Sequence, residues 1–331
     1  MAPAEAPRLV TIKDLRVQFR TFEGLAEVVD VHSLEIRKGE TLGLAGESGS
    51  GKTVTALSIF KLVPVPPGRI ASGEIWFEDQ NVLALREERL RAIRGKDMAM
   101  IFQDPMSSLN PVLTVGDQMV RVLRRRGGLS TREAVQRAIA HFEEVQLPDP
   151  ATTFGKYPHE LSGGMRQRVV IAMALACGAR FLVADEPTRA LDVTIQAGIL
   201  DLLRRLSARE GITMLLIANN LGVVSQMCDR VALLYAGQIV EIGTVEEVFS
   251  NPAHPYTRAL IAAIPTPERK ETKLAVTGGF PPNPVRMPPG CRFHPRCTIA
   301  RKLCATTRPD ATRLGGDHRV WCHAAAGEVG A

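Results

Sequence analysis

Gly46-Glu47-Ser48-Gly49-Ser50-Gly51-Lys52-Thr53 stands between a short apolar run, Thr41–Ala45 (TLGLA), and a helix-forming run, VTALSIFKL. No other stretch restricts the fold as tightly. The spacing G-x-x-x-x-G-K-[ST] between a strand and a helix lets backbone N–H groups close around phosphate oxygens, and the helix N-terminus adds its partial positive charge. Gly46, Ser48, Gly49, Ser50 and Gly51 form this cradle, Lys52 reaches the outer phosphates, and the Thr53 hydroxyl is a ligand for Mg²⁺. A Gly-rich turn that merely caps a helix is the plainer alternative, and it leaves the full spacing unexplained.

A phosphate loop of this kind calls for a strand that ends in carboxylates. Phe181-Leu182-Val183-Ala184-Asp185-Glu186 supplies four apolar residues and then two adjacent acids. Asp185 is the expected Mg²⁺ ligand and Glu186 the expected base that polarises the attacking water. Alone, such a pair reads as a solvated strand end. Beside the phosphate loop it completes a site for phosphoryl chemistry.

Composition excludes several other classes. At 331 residues, 45% hydrophobic and 23% charged, the chain has room for one large globular domain plus an appendage. The longest nearly unbroken apolar stretch, Val169 to Ala179, falls far short of the ~18–20 residues of a membrane span. Met1–Val10 has no apolar core of a signal peptide, so a cytosolic address is expected. A net charge of +6 is too mild and too evenly spread to demand nucleic acid, and it suits an anionic ligand or nearby anionic headgroups.

From Leu9 to about Glu241 short β-branched runs alternate with amphipathic stretches, without internal repeats, which predicts an α/β fold with a β-rich lobe. Phe181–Ala184 and Thr213–Ile217 read as further buried strands. Leu113–Leu147 is rich in Arg and Glu at helical spacing, and an all-helical insert is expected over about 113–165. Past Pro252 prolines crowd the text (PAHPY, IPTPE, FPPNPVRMPPG), so the chain divides into a cassette, 1–251, and an extended tail, 252–331. Four cysteines close that tail.

Leu161-Ser162-Gly163-Gly164-Met165-Arg166-Gln167-Arg168 begins with a hydroxyl-plus-glycine anion nest leading into a helix. Together with the preceding motifs it resembles the signature sequence of ABC-type ATPase subunits, over roughly Leu9–Ile264. The resemblance implies a P-loop NTPase cassette with a RecA-like core, a β-rich lobe and a helical subdomain, using ATP and Mg²⁺. In that family's pattern Gln103 matches the Q-loop, which also reaches the Mg²⁺ with Thr53 and Asp185 and links the nucleotide site to a transmembrane partner. Ala190-Leu191-Asp192 matches the D-loop, and Phe19 stands where an aromatic stacks on adenine, with Phe22 as a nearby competitor. The family's signature closes over the nucleotide of a neighbouring subunit, so Ser162, Gly163 and Gly164 face a partner's γ-phosphate and a working unit needs two cassettes.

Asp104-Pro105-Met106-Ser107-Ser108-Leu109-Asn110-Pro111, His254–Leu260 (HPYTRAL) and Gly290–Cys297 (GCRFHPRC) occur together. This combination is similar to the dipeptide/oligopeptide subfamily of bacterial ABC importers. It implies a peripheral subunit on the cytoplasmic face of the inner membrane, working with a second related ATPase, two transmembrane permease subunits and an extracytoplasmic peptide-binding protein. A soluble ABC ATPase without a transporter, carrying an iron–sulfur sensor tail, is the rival reading. The absence of a second cassette and of a basic, aromatic-interleaved patch weighs against it. Dipeptide, longer peptide, nickel chelate and haem stay open as cargo.

Two positions depart from the pattern. Where the subfamily text resembles I-T-H-D-L, with a histidine on the γ-phosphate, this chain reads Ile217-Ala218-Asn219-Asn220-Leu221. Losing a preorganised donor to developing charge costs ~10²–10³ in rate. Arg189 stands just ahead of Ala190, where a small residue is usual. The expectation is an ATP site that binds nucleotide and hydrolyses it poorly, in a heterodimer whose partner supplies the competent site. The alternative is that Glu186 suffices and Asn219 is tolerated.

Cys291, Cys297, Cys304 and Cys322 are separated by five, six and seventeen residues. The close C-x₂₋₄-C pair of structural zinc sites is missing, and the wider spacing is compatible with a 4Fe–4S cluster, with which the resembled importers' tail is associated. Zinc with His294, His318 or His323 as spare ligands, and free thiols, are the alternatives. Cys177 and Cys228 lie on apolar helical stretches and read as core.

Overall fold

The computed structural model describes residues 7–264 and 278–328. Residues 265–277, part of the Pro-rich segment, lie outside the described residues. The chain divides into two compact units, one comprising Met1–Ala84 and Leu216–Ala331 and the other Leu85–Leu215.

The first unit opens with a long hairpin, β1 (Arg8–Thr21) and β2 (Gly24–Arg37), followed by β3 (Thr41–Ala45), α1 (Lys52–Ile59), β4 (Gly68–Phe77) and β5 (Gln80–Asn81). An antiparallel sheet runs in the order β2-β1-β4-β5. Along β1, Val10, Ile12, Leu15 and Val17 are buried while Lys13, Asp14 and Arg16 face solvent, the alternation of a sheet with one face on the core.

The second unit contains α2 (Glu87–Ile93), β6 (Met98–Ile101), α3 (Pro105–Ser108), α4 (Val115–Gly127), α5 (Thr131–Glu144), α6 (Pro150–Phe154), α7 (Gly163–Leu175), β7 (Phe181–Asp185) and α8 (Val193–Glu210). β6 and β7 pair in parallel, from Met98 opposite Phe181 to Ile101 opposite Ala184. The helices start where the sequence places caps. Thr114 accepts from the Asp117 amide, Ser130 and Glu133 form a reciprocal capping box, and Asp149 precedes Pro150 at the first helical position. Segment 113–165 thus holds α4, α5, α6 and the first residues of α7, while the compact unit extends beyond it on both sides.

The division falls within β8 (Thr213–Ala218). The first unit then continues with α9 (Leu221–Met227), β9 (Arg230–Tyr235), β10 (Gln238–Thr244), α10 (Val245–Ser250), α11 (Pro255–Ala262), β11 (Thr312–Gly315), β12 (His318–Val320) and α12 (His323–Glu328). β3 pairs in parallel with β9, and β9, β10, β12 and β11 follow in antiparallel order. β9 is buried along its whole length, as its run of apolar residues requires of a central strand.

The tail therefore joins the sheet of the first unit. Val320 sits opposite Glu241, so β12 covers the edge of β10 that would otherwise expose unpaired backbone groups. Arg292 fastens the segment before it: its guanidinium, 7% exposed, pairs with Glu27 and, at 3.1 Å, with Asp30 on β2.

Candidate functional site

β3 runs into the phosphate loop, and α1 begins at Lys52. Gly46 has φ +149° and its missing Cβ would overlap the Leu234 carbonyl oxygen; Gly51 has φ +105° and a Cβ there would come within 2.6 Å of the Val28 oxygen. Only glycine fits either place. Gly51 caps α1 without a side-chain bond, which leaves the first N–H groups of the helix directed outward for an anion. Lys52 is 5% exposed. Its ammonium donates to the carbonyls of Gly46 and Glu47, each at 2.8 Å, and to Ser50 Oγ at 3.4 Å. Ser48 and Gly49 are exposed at the tip, and Thr53 is exposed on the first turn of α1.

Phe19 lies on β1 opposite Ala26 and Gly68, half-buried. A Cβ on Gly68 would stand 2.8 Å from Phe19 Cε1, so the glycine makes room for the ring. Phe22 lies in the β1–β2 turn and is fully exposed. Asn219 follows β8, is exposed, and immediately precedes Asn220, whose side chain caps α9 through the Gly222 amide at 2.8 Å.

In the second unit the parallel register of β6 and β7 carries Gln103 and Glu186 past the same end of the two strands. Gln103 Nε2 donates to Glu186 Oε2 at 2.9 Å, and Arg189 Nη1 reaches the same oxygen at 3.3 Å. Glu186 has φ +44°, a left-handed backbone that a non-glycine residue adopts only where its surroundings impose it. Asp185, the last residue of β7, is 1% exposed. Ser162 caps α7 by accepting from the Met165 amide at 3.3 Å, with Gly163 and Gly164 forming its first turn. Asp192 caps α8 through the Ile195 amide at 2.9 Å.

Cys291, Cys297, Cys304 and Cys322 line one cavity of the first unit, with Phe293 on its wall. Burial pushes the Cys291 thiol up to about 11, and the three other tail thiols push the same way. The sequence spacing thus brings the four sulfur-bearing residues to one place. Among the described residues, however, no group of three or more His, Cys, Asp or Glu is arranged to hold a metal ion, so the metal-bearing tail expected from the sequence is not a feature of this structure. Of the candidate zinc histidines, His294 and His323 line the same cavity with one ring nitrogen each bonded to a carbonyl, His294 Nδ1 to Cys291 and His323 Nε2 to Thr307, while His318 lies outside it, its Nε2 on Glu241 at 2.7 Å. Cys177 and Cys228 are half-buried rather than core; Cys228 packs against Gly43, and desolvation raises its thiol far above the usual range.

Two residues beside the phosphate loop carry no signal of their own in the sequence. Tyr256, on α11, accepts from the Glu47 amide at 2.7 Å, and Arg296, in the tail, pairs with the Glu47 carboxylate at 2.8 Å. Both belong to segments distinguished only as subfamily text.

Comparison with known proteins bears on the whole chain. A family model described as ABC transporter matches residues 29–189, and one described as oligopeptide/dipeptide transporter, C-terminal region, matches residues 240–304. The oligopeptide transport ATP-binding protein OppD of Bacillus subtilis is 46% identical over 95% of this chain and 88% of its own length. The chain belongs to the ATP-binding subunits of the oligopeptide/dipeptide ABC transporters. The dipeptide transport ATP-binding protein DppD of the same organism is 42% identical, over 95% of this chain and 94% of its own length. Among solved structures, the ATP-binding cassette MJ0796, determined as a dimer in a post-hydrolysis state with ADP and phosphate, aligns with a TM-score of 0.64 at 27% identity, covering 71% of this chain and 98% of that one. The P-loop cassette fold and the importer subfamily expected from the motifs are both met, and an ABC ATPase of this family uses ATP and Mg²⁺. Among the described residues no helix is long and apolar enough to cross a membrane.

Proposed function

We propose that this chain is a peripheral subunit that energises peptide import, hydrolysing ATP on the cytoplasmic face of the inner membrane beside two permease subunits and an extracytoplasmic peptide-binding protein. The observation that carries the reading is the presence, in one chain, of the phosphate loop and the importer-specific C-terminal region, with 46% identity to OppD over 95% of the length. The cassette is read as 1–251 and the extension as 252–331. Gly46–Thr53 binds the triphosphate, Phe19 stacks on the base, and Glu186 is the base for water. The donor set Thr53, Asp185 and Gln103 is all oxygen, which fits Mg²⁺. The metal neutralises charge on the phosphates when bound. Asp192 and Ser162–Gly164 serve the partner's nucleotide.

Asn219 supports a site that binds ATP and turns it over slowly, and hence a heterodimer, because two copies of this chain would leave both sites without the histidine. The four tail cysteines line one cavity without forming a metal-holding group there; the 4Fe–4S cluster rests on their sequence pattern, and zinc is the second choice. Iron and acid-labile sulfide counted on protein purified without oxygen, against zinc, decides between them, and Cys297→Ser losing both iron and sulfide is expected. The function itself is tested by reconstituting the chain with a partner ATPase, two permease subunits and the peptide-binding protein, and measuring ATP-dependent peptide uptake into vesicles. Uptake that Lys52→Ala abolishes is expected; a chain that neither joins the permease nor supports uptake overturns the reading.

A further inference from the structure

Glu47 is the second residue of the phosphate loop, and Arg296 lies 249 positions away, between His294 and Cys297 in the tail. Arg296 Nη1 and Nη2 donate to Glu47 Oε2 and Oε1 at 2.8 and 2.9 Å, a two-bond fork that fixes the carboxylate in direction as well as charge. The guanidinium side chain is only 6% exposed, so water screens the pair weakly. The fork is held in turn by the first unit: Nη1 also reaches Tyr235 Oη at 3.3 Å, Nε donates to the Gly278 carbonyl at 3.0 Å, and the guanidinium stands 5.6 Å from the Tyr235 ring centre. On the loop side, the Glu47 amide donates to Tyr256 Oη at 2.7 Å and the Glu47 carbonyl accepts from Lys52 Nζ at 2.8 Å.

We propose that Arg296 is a positioning residue for ATP binding, through which the C-terminal tail holds the phosphate loop in its anion-binding shape and neutralises the one carboxylate the loop carries. The inference rests on Gly46–Thr53 being the ATP site. A loop that binds phosphate through backbone N–H groups is weakened by a carboxylate within it unless that charge is cancelled. Glu47 is cancelled by a residue outside the 29–189 segment that carries the cassette match. The arrangement also gives the cysteines a route to the nucleotide. Phe293 lines their cavity and packs against Tyr235 at 5.1 Å and Tyr256 at 5.5 Å between ring centres, and these two tyrosines contact Arg296 and Glu47 respectively.

The test is equilibrium binding of a trinitrophenyl ATP analogue with Mg²⁺ to the full chain, displaced by ATP, with Lys52→Ala as the control for the site. Arg296→Met keeps the packing stem and bares the Glu47 carboxylate; it is expected to weaken ATP about tenfold. Glu47→Gln alone is expected to change affinity less. The double variant is expected to recover to within about threefold of the wild type, because the bared charge is gone. Arg296→Lys, which keeps the charge and loses the fork, is the milder variant should the Met variant fail to fold, and an intermediate loss is expected. Unchanged affinity in Arg296→Met or Arg296→Lys, or simple addition of the two single losses in the double variant, overturns the proposal while Lys52→Ala still abolishes binding. Wild-type binding that Lys52→Ala leaves intact overturns the reading of the site as well.

Discussion

Gln103 and Glu186 share a hydrogen bond of 2.9 Å at the ends of two parallel strands, and Arg189 closes on the same carboxylate oxygen from three residues further along the chain at 3.3 Å. In the proposed role of Glu186 as the base for water, that oxygen has first to give up one of these donors. Arg189, the residue that stands where a small one is usual, is therefore a restraint on Glu186. Its side chain is 58% exposed, so the restraint is worth well under the value of a buried ion pair, about 0.5 kcal/mol. Arg189→Ala is expected to raise turnover at this chain's site two- to threefold. The measurement is steady-state ATP hydrolysis by the assembled transporter with the partner's site inactivated, and a fall in rate would show that Arg189 supports catalysis instead.

Asn219 offers an amide at the position where the histidine is absent. Asn219→His restores a donor able to carry charge at the developing γ-phosphate, and an increase of at least ~10-fold in turnover is expected. In the unaltered chain Glu186→Gln is expected to cost the assembled transporter little, whereas the matching change in the proposed partner ATPase is expected to leave only the slow residual turnover of this chain's site. Equal loss from the two changes would make Asn219 a working substitute for the histidine.

The sequence discloses what is written locally. The phosphate loop, the acid-tipped strand β7 and the capped helices α4 and α5 depend on residues within a few positions of one another, so spacing alone exposes them. The bond from Gln103 to Glu186 depends on the parallel register of β6 and β7, which no periodicity reports. Glu47 and Arg296 meet across 249 positions, and each looks like an ordinary surface charge in its own segment. The Pro-rich tail hides two strands for a similar reason: Thr312–Gly315 and His318–Val320 are too short to alternate visibly, and it is the open edge of β10 that makes them strands. Phe19 is separated from Phe22 only by burial, the one against Gly68 on a strand and the other in a turn.

The tail's attachment at Arg292 has a measurable strength. Asp30 is driven up by burial but is held below the usual carboxylate range by Gln238 and by the guanidinium groups of Arg308, Arg292 and Arg16. Arg292→Met removes the most buried of these cations and leaves Glu27 and Asp30 with a smaller set of partners. Breaking a buried pair from one side costs about 3 kcal/mol. That loss should appear as a lower urea midpoint with an unchanged m-value, and Asp30→Asn added to Arg292→Met should return part of it, since the more buried of the two bared carboxylates is then neutral.

Glu241 sets the acid limit of the same attachment. It is fully buried on β10, where burial alone raises its carboxyl. The bonds from His318 Nε2 at 2.7 Å and from the Ala253 and His254 amides outweigh burial and hold it below the usual glutamate range. A carboxyl with a depressed value in the folded chain contributes stability that is complete above its unfolded value, about 4.5, and is lost as pH falls through the lower folded value. Below that window the unfolded chain no longer gains protons relative to the folded one, so the contribution stays lost. Stability measured by urea unfolding should therefore decline from about pH 4.5 downward. Glu241→Gln should start lower at neutral pH, because an amide cannot accept the same three donors, and should decline less steeply through the acid window. Parallel curves for the two proteins would place the acid sensitivity elsewhere, with Asp30 and Asp317, whose carboxyls are also held down by arginines, as the next residues to change.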